Sequence, residues 1–363
     1  MSEPLHTEDV ETKTTYEKLS GRPFASTKPD LTPASLGITT ENPYQYIKIS
    51  KTHGRNMTEA TASKKVIWGG PYSGDIYGDK NVKGSDMSEA HLEIGENGNY
   101  DVRARGLMDD ISLLRTRKAS EFLRKNGLPT EALRSVKTLK KVWIKDGEKW
   151  KKISVHKWEE NELERIKNEN PKFYEQFKTY LKETKFVVIE RDVQVDERVE
   201  DIQLSCQKND LRRTMQPIFK WLNSVTVVTN RGLISDTPKP EKFEVTNEGL
   251  KKYFGDYLPS QMGIYLGRLH RLGVAHGSSH NQNWSAVGTL YDADSVYGKP
   301  IFSDDEKPSG NAIDEDIFLS MSTLEDLALD LKGTDEFKGV DLKSLEFEVS
   351  YNFVLNYNNA RFD

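Results

Sequence analysis

The residues best suited to chemistry lie in the stretch LHRLGVAHGSSHNQNWSAVGTLYDADSVYG, which ends at Gly298. Its pattern predicts a helix, a His-Gly turn, a polar loop and a short β-hairpin that leads to Asp292. Asn283 and Asp292 carry the hard oxygen ligands that Mg²⁺ accepts, and Asp294 is a further carboxylate. Transfer of a phosphoryl or nucleotidyl group from ATP needs such a metal. The spacing alone equally allows Asp292 to do no more than cap the end of a strand.

Composition narrows the class of protein. The 363 residues suffice for one large or two modest domains, and 36% of them are apolar. The net charge of −5 argues against general nucleic-acid binding. The single cysteine, Cys206, excludes an intrachain disulfide and fits a reducing compartment. We find no apolar run long enough to span a membrane and no leader peptide, so we expect a soluble, cytoplasmic protein.

The order of the predicted elements indicates an α+β protein with two lobes and a cleft between them. Residues 1–60 are expected to form an N-terminal extension, residues 61–204 a β-rich lobe with one main helix, and residues 205–363 a mostly helical lobe. In the β-rich part, HLEIGENG and NYDVRARG predict a β-hairpin, and DDISLLRTRKASEFLRKNG predicts a helix. The segment from LPTEAL to SVHKW predicts strands, and KFVVIERDV predicts a buried strand.

The helical half shows apolar spacing typical of amphipathic helices. NDLRRTMQPIFKWLN and NEGLKKYFGDYLPSQMGIYLGRLHRLG are the first two of these segments. STLEDLALDLK is predicted to begin with a capping box formed by Ser322 and Glu325. LKSLEFEVSYNFVLNYNNA predicts a closing helix.

The stretch LHRLGVAHGSSHNQN…TLYDADS resembles the catalytic loop and metal-binding segment of protein-kinase-like enzymes. Asn283 and Asp292 then match the metal-binding residues, and the kinase catalytic Asp falls on Ser278. This departure is shared by the selenoprotein O family of protein AMPylases. YSGDIYG, IGENGNYDVRARG, SEFLRKNGLPTEAL and RDVQVDER resemble segments of that family in the same order. The resemblance implies a kinase-like fold with a shortened helical lobe.

The resemblance also implies an activity, which is the transfer of AMP from ATP bound to Mg²⁺ or Mn²⁺ onto a protein hydroxyl. Arg191 and Arg198 would hold the inverted phosphates, since a guanidinium grips phosphate oxygens in pairs. Without the resemblance, a solvated strand edge paired with Glu190, Asp196 or Glu200 explains both arginines. Further positions expected at the nucleotide are Arg105, Glu121, Gly74, Gly78 and His280. Gln282, Asn283 and Asp292 occupy the catalytic positions.

Several positions depart from the family pattern. Arg105 stands in place of the phosphate lysine, and Gln282 replaces the acid that serves as the base, although an amide accepts no proton at neutral pH. The helix carboxylate that pairs with the lysine falls on Thr116. Glu121 lies five residues further on, so it points about 140° away from Thr116. Asp109 and Asp110 are other candidates for that carboxylate.

These departures leave two alternatives to an active AMP transferase. One is a catalytically impaired pseudokinase that binds nucleotide or a protein partner, and the other is a kinase for a protein or a small molecule. The spacing of His276 and His280 also permits a zinc site. The basic, tryptophan-containing segment from Lys137 to Trp158 predicts a hairpin with a solvated lysine face rather than a nucleic-acid platform.

Overall fold

The computed structural model of the chain describes residues 38–39, 64–68, 78–83, 85–94, 100–139, 141–146, 149–193, 195, 197–228, 242–303, 308 and 310–362. These residues form a mostly helical α+β fold with a mainly antiparallel sheet, in which only β1 and β6 of the described strands pair in parallel. The chain divides into two compact units. The first comprises Met1–Leu114 with Ala132–Asp192, and the second comprises Arg115–Glu131 with Val193–Asp363. The expected domain limits at 60 and 204 stay predictions.

All the described strands belong to the first unit. They are β1 (Ile38–Thr39), β2 (Lys64–Trp68), β3 (Gly78–Lys83), β4 (Ser85–Ile94), β5 (Tyr100–Asp109), β6 (Ala132–Thr138), β7 (Lys141–Asp146), β8 (Lys149–Ser154) and β9 (Phe186–Asp192). Helix α1 (Asp110–Lys125) follows β5, and its residues fall partly in each unit. Helices α2 (Val155–Glu169) and α3 (Tyr174–Glu183) precede β9.

Strand β9 lies in the middle of the sheet, whose order is β1-β6-β9-β3-β2, with β5 also pairing β9 and β4 pairing β5. Val187 and Ile189 of β9 are fully buried and pack with Met108, Leu113 and Val136. This burial explains the continuous apolar run of β9, and the predicted buried strand is confirmed. The predicted β4–β5 hairpin is also confirmed, with Leu92 opposite Val102.

Two of the predicted elements are wrong. The segment predicted as strands up to Trp158 turns into helix α2 at Val155, because the Ser154 hydroxyl accepts a hydrogen bond from the Lys157 amide at 3.0 Å and caps a new helix. Trp158 then packs edge-on against Phe186, with ring centroids 5.7 Å apart. Ser322 does not begin a helix, since it lies within a helix that starts at Gly310.

The second unit is built from helices. They are α4 (Val199–Gln207), α5 (Leu211–Val228), α6 (Asn247–Lys252), α7 (Leu258–Arg271), α8 (Gly310–Lys332) and α9 (Leu342–Phe362). A π-helical turn at Tyr253–Tyr257 joins α6 to α7. The predicted closing helix is confirmed as α9. Among the described residues, no helix is both long and apolar enough to cross a membrane.

Helices α7 and α9 approach closely because glycines line the face of α7. A Cβ on Gly263 would lie 2.3 Å from the Phe353 carbonyl oxygen, and one on Gly267 would lie 2.4 Å from the Tyr357 carbonyl oxygen. Neither distance is tolerable, so any larger residue would force the helices apart. The close contact holds α9 against the helix that leads into the polar loop.

Candidate functional site

The polar loop is fixed by the buried carboxylate of Asp316 on α8. Its Oδ2 accepts hydrogen bonds from the His276 amide at 2.7 Å and from His270 Nε2 at 3.2 Å. Its Oδ1 accepts from the Gly277 amide at 2.9 Å and from the Ser279 hydroxyl at 3.0 Å. Burial acts to raise the pKa of Asp316, but the hydrogen bonds from His270 and His276 outweigh it, and the pKa lies below its usual value. Asp316 therefore sets the start of the loop as an ionised anchor.

Asp292 is placed by a short hairpin and by a second buried carboxylate. Trp284 pairs with Leu290 across a turn in which Gly288 has φ +75. Asp292 itself has left-handed backbone angles of φ 61 and ψ 54, a conformation that Asp tolerates better than most residues. Glu131 stabilises it, since its Oε2 accepts from the Asp292 amide at 2.9 Å and its Oε1 from the Ala293 amide at 3.0 Å.

The segment that leads into β6 therefore supports Asp292, which the sequence predicts to bind a metal. Thr130 donates its hydroxyl to the Leu290 carbonyl at 2.9 Å, next to the contacts of the fully buried Glu131. The sequence placed LPTEAL at the start of a segment predicted as strands and within the resemblance, and it indicated no role for Thr130 or Glu131. The signal was weak, since Glu131 is a single charged residue between Thr130 and Ala132 and nothing in its spacing links it to Asp292.

Arg198 directly precedes α4, and its side chain is buried against the polar loop rather than lying at a solvated edge. Its guanidinium donates to the Gln282 carbonyl and, at 3.3 Å, to Asn283 Oδ1, and it lies 5.5 Å from the Tyr291 ring centroid. Arg198 is 1% exposed and Arg191 is fully buried, so the solvated-edge interpretation is wrong for both. Arg198 gives the loop a fixed positive charge next to Asn283.

The first turns of α4 lie along the same loop. Gln282 Nε2 donates to Glu200 Oε1 at 2.9 Å, and Asn281 Nδ2 donates to Gln203 Oε1 at 2.7 Å. The Glu200 amide also donates to the Asn281 carbonyl at 3.3 Å. A carboxylate from α4 thus contacts Gln282, the residue that the resemblance places where a base is expected.

Two histidines lie in the loop. His276 Nε2 is 2.7 Å from the Tyr291 carbonyl, so this nitrogen carries the proton. His280 Nδ1 accepts from the Gln282 amide at 3.3 Å. Burial lowers the pKa of His280, helped by the charges of His276 and Arg198 and opposed by Asp292. His280 is therefore neutral at pH 7. In the described part of the chain, no three His, Cys, Asp or Glu side chains cluster to hold a metal, which leaves the zinc interpretation without support.

Asn283 and Asp292 have the donor types that a magnesium ion needs. Asn283 Nδ2 donates to the Ser278 carbonyl at 2.8 Å, which directs Oδ1 toward Arg198. An amide oxygen has two lone pairs, so Oδ1 can accept from Arg198 and still bind a cation. Asp292 is 5% exposed. Magnesium sites at phosphates take few protein ligands because substrate oxygens and water complete the shell, so this pair fits such an ion.

The remaining predicted positions divide between the two units. Gln282, Asn283, Asp292, His280 and Arg198 belong to the second unit, as does Glu121. The first unit contains Arg105, Arg191 and Gly78. Arg105 lies on β5 opposite Glu89, and Gly78 is the first residue of β3. Arg191 lies on β9 between Asn81 of β3 and Leu133 of β6. Gly74 lies outside the described residues.

The expected orientation of Glu121 is confirmed. Thr116 is fully buried, whereas the Glu121 side chain is 40% exposed and forms an ion pair with Arg117 of the same helix at 3.3 Å. The two residues therefore occupy different faces of α1. Glu121 does not take the place of a carboxylate at Thr116.

No protein-family model matches this chain, and no curated protein matches it either. The resemblance to the selenoprotein O family therefore rests on the quoted segments. What the structure adds is geometric. It places Asn283 and Asp292, the predicted metal ligands, in one unit, where the buried Arg198 and Glu131 contact them.

Proposed function

We propose that this protein is a nucleotidyltransferase of protein-kinase-like fold that transfers AMP from metal-bound ATP to Ser, Thr or Tyr hydroxyls of proteins. The observation that carries the proposal is the support of Asn283 and Asp292 by Arg198 and Glu131. The α+β fold and the division into two units suit the two-lobed architecture that the proposal includes.

In the proposed reaction, the acceptor hydroxyl oxygen bonds to the α-phosphorus of ATP. The bond from that phosphorus to the oxygen bridging to the β-phosphate breaks, and pyrophosphate leaves with the electron pair. A bound Mg²⁺ or Mn²⁺ supplies charge neutralisation at the phosphates. Asn283 and Asp292 would hold this ion, and positioning and electrostatic stabilisation account for most catalysis in phosphoryl transfer.

The hydroxyl proton needs an acceptor, and Gln282 cannot provide one. Glu200 is the carboxylate in contact with Gln282, at 2.9 Å, and the proposal assigns the proton to it. We expect Gln282→Asp to raise the transfer rate, since it adds a carboxylate at the family's position. In the double variant Gln282→Asp with Glu200→Gln, only the introduced carboxylate remains. Its transfer rate shows whether that carboxylate accepts the proton without Glu200. A loss of activity in the single variant would contradict the family plan for the loop.

The proposed phosphate role of Arg198 needs a conservative test. Alanine at this position removes the hydrogen bonds to Gln282 and Asn283 and would disturb the loop itself. Arg198→Lys keeps the charge but loses the planar pair of donors. We expect it to weaken ATP binding more than adenosine binding, and Arg191→Ala to do the same. An equal effect on both ligands would remove the phosphate role.

The experiment that tests the function uses purified protein, Mg²⁺ or Mn²⁺, and ATP labelled on either the α- or the γ-phosphate. Transfer of the α-label to any protein, including the enzyme itself, is expected. Asp292→Asn should abolish it, whereas Asp314→Asn, an exposed Asp on α8, should not. Transfer of the γ-label alone would identify a kinase and overturn the proposal.

A second candidate function is nucleotide binding without turnover. It is favoured by the amide of Gln282 at the position of the base. Thermal stabilisation by ATP with metal, in the absence of any label transfer, would establish it. No stabilisation and no transfer would leave a protein-binding role.

A further inference from the structure

The backbone that follows Asp292 forms a tight 3₁₀ turn. The Ser295 amide donates to the Asp292 carbonyl at 2.9 Å, and the Val296 amide donates to the Ala293 carbonyl at 3.2 Å. Neither of these bonds uses the carbonyl of Asp294 or of Val296. Because buried backbone groups are normally paired, the donors to these two carbonyls show what else holds the turn.

Arg115 of α1 donates to both carbonyls, and it belongs to the second unit together with the turn. Its Nε donates to the Asp294 carbonyl at 3.3 Å, and its Nη2 donates to the Val296 carbonyl at 3.2 Å. Nε and Nη2 lie on one edge of the planar guanidinium, so a single rigid group fixes two carbonyls. The charge of the guanidinium also strengthens both hydrogen bonds.

The guanidinium of Arg115 is held in place by an aromatic ring. Its central carbon lies 4.1 Å from the centroid of the Phe302 ring, within the range of a cation–π contact. Phe302 is 2% exposed, so the ring is a fixed surface for the guanidinium. Lys118 Nζ lies over the same ring at 5.6 Å. The packing of Phe302 therefore limits where the donors of Arg115 can lie.

Arg115 and Glu131 bind opposite kinds of backbone group in the same short segment. The Glu131 carboxylate accepts from the amides of Asp292 and Ala293, at 2.9 and 3.0 Å, whereas Arg115 donates to the carbonyls that follow. The left-handed backbone angles of Asp292 are uncommon outside glycine and persist where surrounding contacts hold them. The contacts of Arg115 and Glu131 therefore hold the backbone on both sides of the Asp292 side chain.

We propose that Arg115 is a positioning residue of the metal site, which keeps the Asp292 carboxylate in place for a divalent cation by fixing the backbone after it. The inference rests on the proposed function, because it takes Asp292 as a ligand of the metal bound with ATP. Arg115 acts through the backbone and contacts neither the cation nor the nucleotide. The sequence indicated no role for it, since Arg115 and Asp294 lie 179 residues apart.

The first test measures by calorimetry how much Mn²⁺ strengthens ATP binding to the full chain. Arg115→Ala should reduce this gain roughly 10-fold, since residues that orient metal ligands contribute at least this much to metal affinity. Arg115→Lys keeps the charge but loses the paired donors, and it should recover part of the gain. ATP binding without metal should stay unchanged in both variants. The matched control is Arg124→Ala, an exposed arginine of the same helix, which should leave the gain unchanged.

The second test follows hydrogen exchange by mass spectrometry in the absence of metal and nucleotide. Arg115→Ala should accelerate exchange in the peptide that covers residues 292–296 roughly 10-fold, because the turn then opens more often. Arg124→Ala should leave exchange in this peptide unchanged. Exchange in α9, which is remote in sequence from both substitutions, reports whether the rest of the unit stays folded.

Two results would overturn the inference. One is unchanged exchange of residues 292–296 in Arg115→Ala, and the other is an equal loss of ATP affinity with and without Mn²⁺, which would show a general loss of structure. A gain from Mn²⁺ that depends on Arg115, without transfer of the α-label, would support the inference and refute the AMP transferase. Transfer of the α-label with a gain indifferent to Arg115 would refute the inference alone. No gain from Mn²⁺ in the unaltered protein would refute the metal site and the inference together.

Discussion

Asp316 is the residue whose replacement should disturb the loop most. In Asp316→Asn, one carboxylate oxygen becomes an NH₂ group. Whichever oxygen is replaced, the new donor faces a backbone N–H, of His276 on one side or of Gly277 on the other. One buried amide then loses its acceptor at a cost of about 1–3 kcal/mol, and the remaining bonds lose their charge assistance. We expect a total loss of about 3–5 kcal/mol.

Urea unfolding followed by tryptophan fluorescence measures this loss. Trp284 is a suitable reporter because its Nε1 donates to the Ser279 carbonyl at 2.9 Å inside the loop. The matched control is Asp314→Asn on the same helix, where the side chain is exposed and a change within about 0.5 kcal/mol is expected. A loss below about 1 kcal/mol for Asp316→Asn would refute the view that this carboxylate anchors the loop.

The pH dependence gives a second readout of the same group. Because the folded pKa of Asp316 lies below its ordinary value, its contribution to stability is present above that ordinary value, about 3.9. The contribution is lost as the pH falls through the lower folded pKa. In Asp316→Asn this part of the acid-induced loss of stability should be absent. An unchanged acid limb would contradict the assignment.

Other consequences follow for neighbouring residues. His280 should titrate below pH 6.5 when followed by NMR. Asp292→Asn should lower the pKa of His280 further, because the negative charge of Asp292 favours the protonated imidazole. A higher His280 pKa in this variant would contradict the placement of Asp292 beside it. Gly267→Ala should destabilise the fold by about 1–3 kcal/mol in thermal or urea unfolding, because its Cβ meets the Tyr357 carbonyl, whereas Gly310→Ala, with open space around it, should not. Glu131→Gln should weaken Mg²⁺-dependent nucleotide binding, measured by calorimetry, because one of the two amides at Asp292 and Ala293 loses its acceptor.

Spacing and turn residues in the sequence were sufficient to predict several helices and strands. The helix from Asp110, the β4–β5 hairpin, the buried strand β9 and the closing helix α9 follow from spacing and turn residues. Helix α2 was missed because the basic segment before its cap alternates apolar and polar residues, and this strand pattern was extended to Trp158. The true start of α8 was missed because two of its buried positions are the polar residues Asp316 and Ser320, which interrupt the helical spacing of apolar residues.

The sequence by itself determined which residue types are available for the site, namely Asn283 and Asp292 in a polar loop and Gln282 where an acid was expected. Only the tertiary structure decided what holds them. Asp316 lies 40 residues from His276, Arg198 lies 85 residues from Asn283, and Glu131 lies 161 residues from Asp292. No periodicity in the sequence connects residues so far apart, because the hydrogen-bond partners of a buried charge are set by how whole elements pack together rather than by neighbours in the chain.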